Sequence, residues 1–263
     1  MGTGAYGTVH RGTWKPPPGK DNDKVVKVKV AVKTLNEPKA SILQEALTMA
    51  SCEHINLVRL VAICQSHPPK LITEYLPRGD ALQYIRKRKE QVRPSQIVSW
   101  CRQIAEGMAY LAELKEGVKL VHRDLAARNV LVKNSNHVKI ADFGLAQLIR
   151  STDGKFNEIG GRMPLKWLAI ECIERGIYSH KSDVWSFGVT IWELLTYGKR
   201  PFQNTQAKDL LNLLKSGGRL EQPDNCSTEL YTLMLTCWFI GIVFDNFQYL
   251  FSNIFCKHNL SKP

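Results

Sequence analysis

Residues 182 to 196 read SDVWSFGVTIWELLT, and this stretch limits the possible folds more than any other. Drawn as a helix, it is apolar nearly all round, so it has no face to give to water. Ser182 or Asp183 stands near its start, where short polar side chains satisfy free helical N–H groups. Such a helix must be surrounded by protein, which demands a thick helical layer. A chain of 263 residues is long enough to build one, as a single large domain or as two lobes.

The flanking sequence divides into two kinds. Thr8 to Trp14 alternates like a strand, and Lys15 to Lys24, with three prolines, is a turn or loop. Val25 to Val32 interleaves valine with lysine, the pattern of a half-buried strand. Lys39 to Ala50 has helical spacing, with Ile42, Ala46, Met49 and Ala50 on one face, and Leu57 to Cys64 and Leu71 to Tyr75 read as strands. After Pro77-Arg78-Gly79 the character changes. Ser95 to Leu114 is a long amphipathic helix, short strands flank His122 to Val138, and helices follow at Thr205 to Lys215 and Ser227 to Phe239. The reading is an α+β chain: a small strand-rich lobe over residues 1–76 with one helix, and a larger helical lobe over 77–238. A tail of different composition occupies 239–263.

Composition narrows the partners. The net charge of +12 suits a phosphate-bearing partner or a solvated basic surface. The basic residues are dispersed, and the single run, Arg86 to Lys89, fits an exposed helix face, so no nucleic-acid partner is expected. Seven cysteines, odd in number and never spaced C-x-x-C, argue against a disulfide scaffold or a zinc site and for a reducing, cytoplasmic setting. The most apolar stretch, Phe239 to Phe255, carries Asp245, Asn246, Gln248 and Asn253 and falls short of the roughly 20 apolar residues that cross a bilayer.

Three glycines open the chain as Gly2-x-Gly4-x-x-Gly7-x-Val9. A dinucleotide fingerprint needs a strand before and a helix after, and a P-loop needs G-K-[ST]; neither is present. A plain hairpin turn and a glycine-rich turn folding over phosphates remain, the latter needing glycine so that backbone amides approach the oxygens closely. An N-myristoylation signal is excluded by Tyr6 at the sixth residue. Downstream, Val30-Ala31-Val32-Lys33 ends a strand, and Glu45 is the one acidic residue of the following helix. A carboxylate against a sheet needs a cation, and Lys33 is the candidate. Then come His122-Arg123-Asp124-Leu125-Ala126-Ala127-Arg128-Asn129 and Asp142-Phe143-Gly144. Asp142 and Asn129 offer hard oxygens suited to Mg²⁺, and Asp124 can accept a proton from an attacking hydroxyl.

Together, in this order, these motifs resemble the protein kinase family, over Met1 to about Trp238. The resemblance implies the bilobal α+β protein-kinase fold, with ATP and Mg²⁺ as cofactors. It implies that Gly2, Thr3, Gly4, Ala5 and Gly7 cover the phosphates, and that Lys33, held by Glu45, pairs the α- and β-phosphates. Val9, Ala31 and Leu131 would enclose adenine, with Thr73 at the back and Glu74 to Leu76 offering backbone groups. Asp124 would be the catalytic base, with Asn129 and Asp142 on the metal. Met49, Leu60, Phe143 and His122 would stack between the lobes, anchored by Asp183. Ala126 and Arg128, with Pro164-Leu165-Lys166-Trp167, look like a tyrosine kinase rather than a serine/threonine kinase, so the substrates would be tyrosine-bearing proteins. Ile42 to Ser51, Gly160 to Trp167 and Gly188 to Leu194 resemble the epidermal growth factor receptor (ErbB) group. That likeness implies activation by contact between two kinase domains, as a homo- or heterodimer. It also implies a parent receptor in the plasma membrane, so that any membrane attachment lies in segments outside this chain. No tyrosine lies between Asp142 and Glu171, so tyrosine autophosphorylation there cannot be the switch.

The chain also departs from that pattern. The segment between Lys33 and Glu45 is shorter than in the family, which is expected to favour the inward, paired helix. No arginine follows Arg219, so the family's partner for Glu171 is missing, and Glu171 is expected to carry a poorly compensated buried charge. Met1 stands where the family has an apolar strand residue. The chain is therefore expected to be incomplete at both ends, with a mobile lid and weakened ATP affinity. A catalytically impaired fragment that binds nucleotide or a partner kinase is the alternative reading.

Overall fold

The structure is a computed structural model that describes residues 2–4, 7–15, 27–34, 39–114, 119–149, 156–157, 163–239 and 247. Strand β1 (Gly2–Gly4) and strand β2 (Gly7–Trp14) form an antiparallel hairpin in which Gly4 faces Gly7. Strand β3 (Val28–Thr34) follows, then helix α1 (Lys39–Ala50) and strands β4 (Leu60–Cys64) and β5 (Lys70–Glu74). The five strands make one sheet in the order β1-β2-β3-β5-β4. Strand β3 runs two residues beyond the stretch read from the sequence, because β2 and β5 pair with it as far as Thr34. Leu57, expected to open the strand that ends at Cys64, lies outside β4: it is buried and bridges to Ile140 across the molecule.

Helix α1 turns Ala46, Met49 and Glu45 inward. Ala50, expected on the same face, is exposed at the last residue of the helix, and Ile42's side chain lies outside what is described. Leu47, 64% exposed, projects away from the sheet.

Beyond β5 come helices α2 (Ala81–Lys87) and α3 (Pro94–Ala112), and strands β6 (Lys119–Val121), β7 (Val130–Asn134), β8 (His137–Ile140), β9 (Gln147–Ile149) and β10 (Phe156–Asn157). Helix α4 (Ile170–Arg175), strand β11 (Ile177–Tyr178) and helices α5 (His180–Leu195), α6 (Ala207–Lys215) and α7 (Thr228–Cys237) complete it. The strands of this part pair in twos: β6 with β9, β7 with β8, β10 with β11. Helix α5 is the apolar stretch that opened the sequence. All its residues except Lys181 and Trp192 are buried. It starts two residues earlier than expected because Ser179 caps it, in a reciprocal box with Ser182.

Packing around α5 leaves no slack. A Cβ on Gly188 would lie 2.7 Å from Trp238 Nε1 and 2.8 Å from Cys237 Cβ. Gly188→Ala is therefore expected to cost about 1–3 kcal/mol by overpacking, measured as a shift of the urea midpoint; unchanged stability would show that α5 and α7 do not meet this closely. Of the tail after Phe239, only Phe247 is described. It is buried, with its ring edge-on to Phe187 at 5.6 Å.

Glu171 differs from its expectation. It is half-buried rather than buried, and it lies in the first turn of α4, where a helix favours negative charge. Among the described residues it has no ion-pair partner, and Arg219 is engaged elsewhere, donating to the Trp238 carbonyl at 3.0 Å and lying over Trp185.

Candidate active site

Three elements converge on one cation. Strand β3 carries Lys33, helix α1 carries Glu45, and the loop after β8 carries Asp142. Lys33 Nζ lies 2.9 Å from Glu45 Oε1 and 2.8 Å from Asp142 Oδ1. Burial works against its charge, but the two carboxylates outweigh it and hold the ammonium above its usual range. Burial would likewise raise Asp142, and Lys33 overrides it, holding that carboxyl below its ordinary range. The segment expected to tether α1 inward includes residues 35–38, which lie outside the described residues.

The loop between β6 and β7 places the second group. It is buried under α5, whose Asp183 accepts from the backbone N–H groups of His122 at 2.8 Å and Arg123 at 2.9 Å. That clamp holds Arg123 in the left-handed region at φ 69°, and Asp142 has φ 63°. Each such residue costs about 1–3 kcal/mol, and both stand where charge is being positioned. Asp124 emerges from the loop. Its carboxylate pairs with Arg128 and accepts from Asn129 Nδ2 at 2.7 Å; the same nitrogen also donates to the Asp124 carbonyl. Burial raises the Asp124 carboxyl above its usual range, against the pull of Arg128 and Asn129. With its amide nitrogen so used, Asn129 has its oxygen left to accept a hydrogen bond or to coordinate a cation.

His122 joins the two halves. Its ring lies 5.3 Å from that of Phe143, and its Nε2 is 3.2 Å from the Ala141 carbonyl, which only accepts, so Nε2 carries the proton. Burial lowers its pKa to about 4, so the ring is neutral at physiological pH. Met49 belongs to the same apolar cluster as His122's neighbour Phe143, and the partly buried Leu60 packs against that cluster.

Between sheet and helices lies a cavity of about 290 Å³. Val9, Ala31, Lys33, Glu45, Thr73, Glu74, Leu76, Arg128, Asn129, Leu131 and Asp142, all expected there from the sequence, line it. Val58, Leu71 and Ala141 add apolar wall that the sequence reading missed. Asp124 is not a lining residue; it stands behind Arg128 and Asn129, which are. Gly2, Thr3, Gly4 and Gly7 form the hairpin at the sheet edge. Their side-chain surroundings, and Ala5 altogether, lie outside the described residues. The cavity has apolar walls for a flat ring. Leu76, one of its lining residues, has a backbone N–H with no acceptor among the described residues. That combination fits a nucleotide base. Among the described residues no three His, Cys, Asp or Glu side chains converge as a metal site.

The side-chain roles of two acids, Glu74 and Glu193, were not read from the sequence. Glu74 Oε1 accepts from Lys139 at 2.6 Å and from the Arg59 N–H at 2.9 Å, fixing the strand that enters the cavity. Lys139 sits in a short alternating strand, where a lysine reads as solvated. Glu193 is buried in α5, and its Oε2 accepts from the Ala127 N–H at 3.0 Å and Trp167 Nε1 at 2.7 Å. The argument used for Glu45, that an acid on a buried face needs partners, would have found it.

Burial raises Glu193 from 4.5 to about 7, against the Ala127 and Trp167 donors and the facing charges of Arg128 and Arg86. A carboxyl raised in the folded state holds its proton while the unfolded chain has lost it, so this group costs stability as pH rises from about 4.5 to about 7. Glu193→Gln is therefore expected to gain on the wild type by roughly 3 kcal/mol across that window. Urea unfolding at a series of pH values measures the gain, and a difference that stays flat with pH would contradict the raised carboxyl.

Comparison with known proteins gives the same reading as the geometry. A family model described as protein tyrosine and serine/threonine kinase matches residues 1–241. Receptor tyrosine-protein kinase erbB-4 of Homo sapiens is 47% identical over 245 residues, covering 91% of this chain and 18% of its own length. The epidermal growth factor receptor of Apis mellifera is 46% identical over 245 residues, covering 91% of this chain and 18% of its own length. The epidermal growth factor receptor of Drosophila melanogaster is 47% identical over 243 residues, covering 90% and 16%. The likeness to the ErbB group read from the sequence is borne out, while the chain spans less than a fifth of the length of these relatives. This chain belongs to the protein tyrosine and serine/threonine kinase family.

Proposed function

We propose that this chain is a protein-tyrosine kinase domain, transferring the γ-phosphoryl group of ATP to tyrosine hydroxyls of protein substrates. One observation carries the reading: Lys33, paired with both Glu45 and Asp142, faces the same cavity as Asn129, whose amide holds Asp124. Kinases need those two groups of residues together, one to neutralise and aim phosphates and the other to receive a proton.

Each residue has a role in this reading. Val9, Ala31 and Leu131 sandwich the base, and Leu76 offers its free N–H. The glycine hairpin covers the phosphates, and Lys33 aims them. Asn129 and Asp142 would hold Mg²⁺ through one side-chain oxygen each, hard donors suited to that ion. When bound, the ion neutralises phosphate charge. Asp124 accepts the tyrosine proton, and its raised carboxyl is better matched to that task than an ordinary aspartate. Arg128 pairs with the Asp124 carboxylate and fixes its direction. Ala126 leaves room where a serine/threonine kinase has lysine, and the segment Pro164 to Trp167 would hold the peptide at the greater distance that a tyrosine hydroxyl requires.

Within this reading, activation comes through contact between two kinase domains, and the exposed Leu43 and Leu47 of α1 support it, since they offer apolar surface on the helix that holds Glu45. No described helix is long and apolar enough to cross a membrane. Placement at the cytoplasmic face of the plasma membrane would come from receptor segments outside this chain.

The test is direct. Purified chain with ATP, Mg²⁺ and a tyrosine-containing peptide is expected to produce phosphotyrosine, and removal of Mg²⁺ with a chelator should abolish it. Nucleotide binding without transfer would overturn the reading.

A further inference from the structure

Helix α5 carries a second buried acid besides Asp183, and it faces the opposite end of the Asp124 loop. Glu193 is 2% exposed and lies among apolar neighbours of α5. A single oxygen, Oε2, receives both the Ala127 N–H, next to Arg128, and the indole N–H of Trp167. Trp167 in turn supports Arg128: the guanidinium lies 4.9 Å from its ring centroid, and the same guanidinium pairs with Asp124. Ser186, two turns earlier on the same face of α5, donates to the Trp167 carbonyl at 2.8 Å, so α5 fixes that residue at both its backbone and its ring. Three groups thus form a closed circuit, Glu193, Ala127 with Arg128, and Trp167, and Asp124 is attached to it through Arg128.

We infer that Glu193 is a positioning residue that locks the segment around Trp167 to the Asp124 loop, so that peptide docking and proton acceptance share one geometry. This rests on the kinase reading above and goes beyond it by joining the two halves of the substrate site through one carboxylate. The physical reason is satisfaction. Without an acceptor at Oε2, the buried Ala127 N–H and the half-buried indole N–H of Trp167 lose their partner at once, a cost that favours local rearrangement of the backbone. Arg128 would then lose the ring it rests on, and Asp124 would lose its fixed direction. Of these residues only Arg128 lines the nucleotide cavity, so the apolar walls around the base, Val9, Ala31 and Leu131, would be spared.

Steady-state kinetics with varied peptide and varied ATP test this. Trp167→Phe keeps a ring for Arg128 and removes only the donor. It is expected to lower kcat/KM for peptide about 5–50-fold, the rate equivalent of one lost hydrogen bond to a buried carboxyl, with KM for ATP within about twofold. Glu193→Gln keeps an acceptor oxygen and is expected to stay within about threefold of wild type in kcat. Glu193→Leu removes the acceptor and should lose more than Trp167→Phe. Because the Leu variant could fail to fold, Trp167→Phe and Glu193→Gln carry the decision, each checked by thermal melting. The double variant Trp167→Phe/Glu193→Gln should be no worse than the poorer single one, since both act on one bond. The inference is overturned if Trp167→Phe leaves peptide kcat/KM unchanged, or if KM for ATP rises in step with KM for peptide. An inactive wild type would instead strike at the kinase reading itself.

Discussion

Asp124→Asn is expected to reduce phosphotyrosine formation by about 10²–10⁴-fold while leaving nucleotide affinity near the wild-type value. The side chain keeps its shape and still offers an oxygen to Asn129 Nδ2. It loses the capacity to take up a proton, and it loses the charge that pairs with Arg128. Asp124 is not among the cavity-lining residues, so the base and phosphate contacts are untouched. Initial rates at saturating ATP, with nucleotide binding followed by calorimetry, separate the two effects. A rate within a fewfold of wild type would remove Asp124 from the chemistry, and a parallel loss of nucleotide binding would mean that the substitution had disturbed the fold.

Lys33→Met is expected to be as damaging, by a different route. Two carboxylates, Glu45 and Asp142, share this one ammonium, at 2.9 and 2.8 Å. Removing it leaves their charges facing a cavity that is itself meant for phosphates, and breaking a buried pair from one side costs about 3–5 kcal/mol. Part of that cost is relieved because Asp142 keeps some exposure to solvent, with a side chain 33% exposed. The rest should drive α1 away from the sheet. Transfer should fall by at least about 10²-fold, since phosphate aiming and charge neutralisation fail together. Glu45→Gln alone should cost less, and the double variant less than the sum of the singles, because all three groups form one network. Independent, additive losses would show that Lys33 and Glu45 do not act through their contact.

The chemistry-bearing residues were the most legible part of this sequence. Lys33, Glu45, Asp124, Asn129 and Asp142 stand in short motifs whose order and spacing leave little freedom, and the fold brings all five together. The buried helix α5 was equally legible, because a stretch apolar on every side has one physical solution. Its start was misplaced by two residues because Ser179, the actual cap, precedes a histidine and a lysine that look like surface. Residues whose importance comes from partners distant in the chain were harder to see. Glu193 meets Ala127 across 66 residues, and Lys139 meets Glu74 across 65. Nothing local marks such pairs except that a charge sits in an apolar setting. The face of α1 was half legible for the same reason: Ala46 and Met49 turn inward as the periodicity says, whereas Ala50 lies at the helix end, where no sheet covers it. Glu171 is not the buried charge expected, because sequence alone does not reveal that it lies in the first turn of a helix and keeps contact with water.

Incubation of the purified chain and its Asp124→Asn variant with ATP-Mg²⁺ and one peptide bearing tyrosine, serine and threonine decides the central claim. Mass spectrometry of the product is expected to find phosphate on tyrosine alone with the wild type, and essentially none with the variant. Phosphate on serine or threonine, equal transfer by both proteins, or no transfer by either would contradict it.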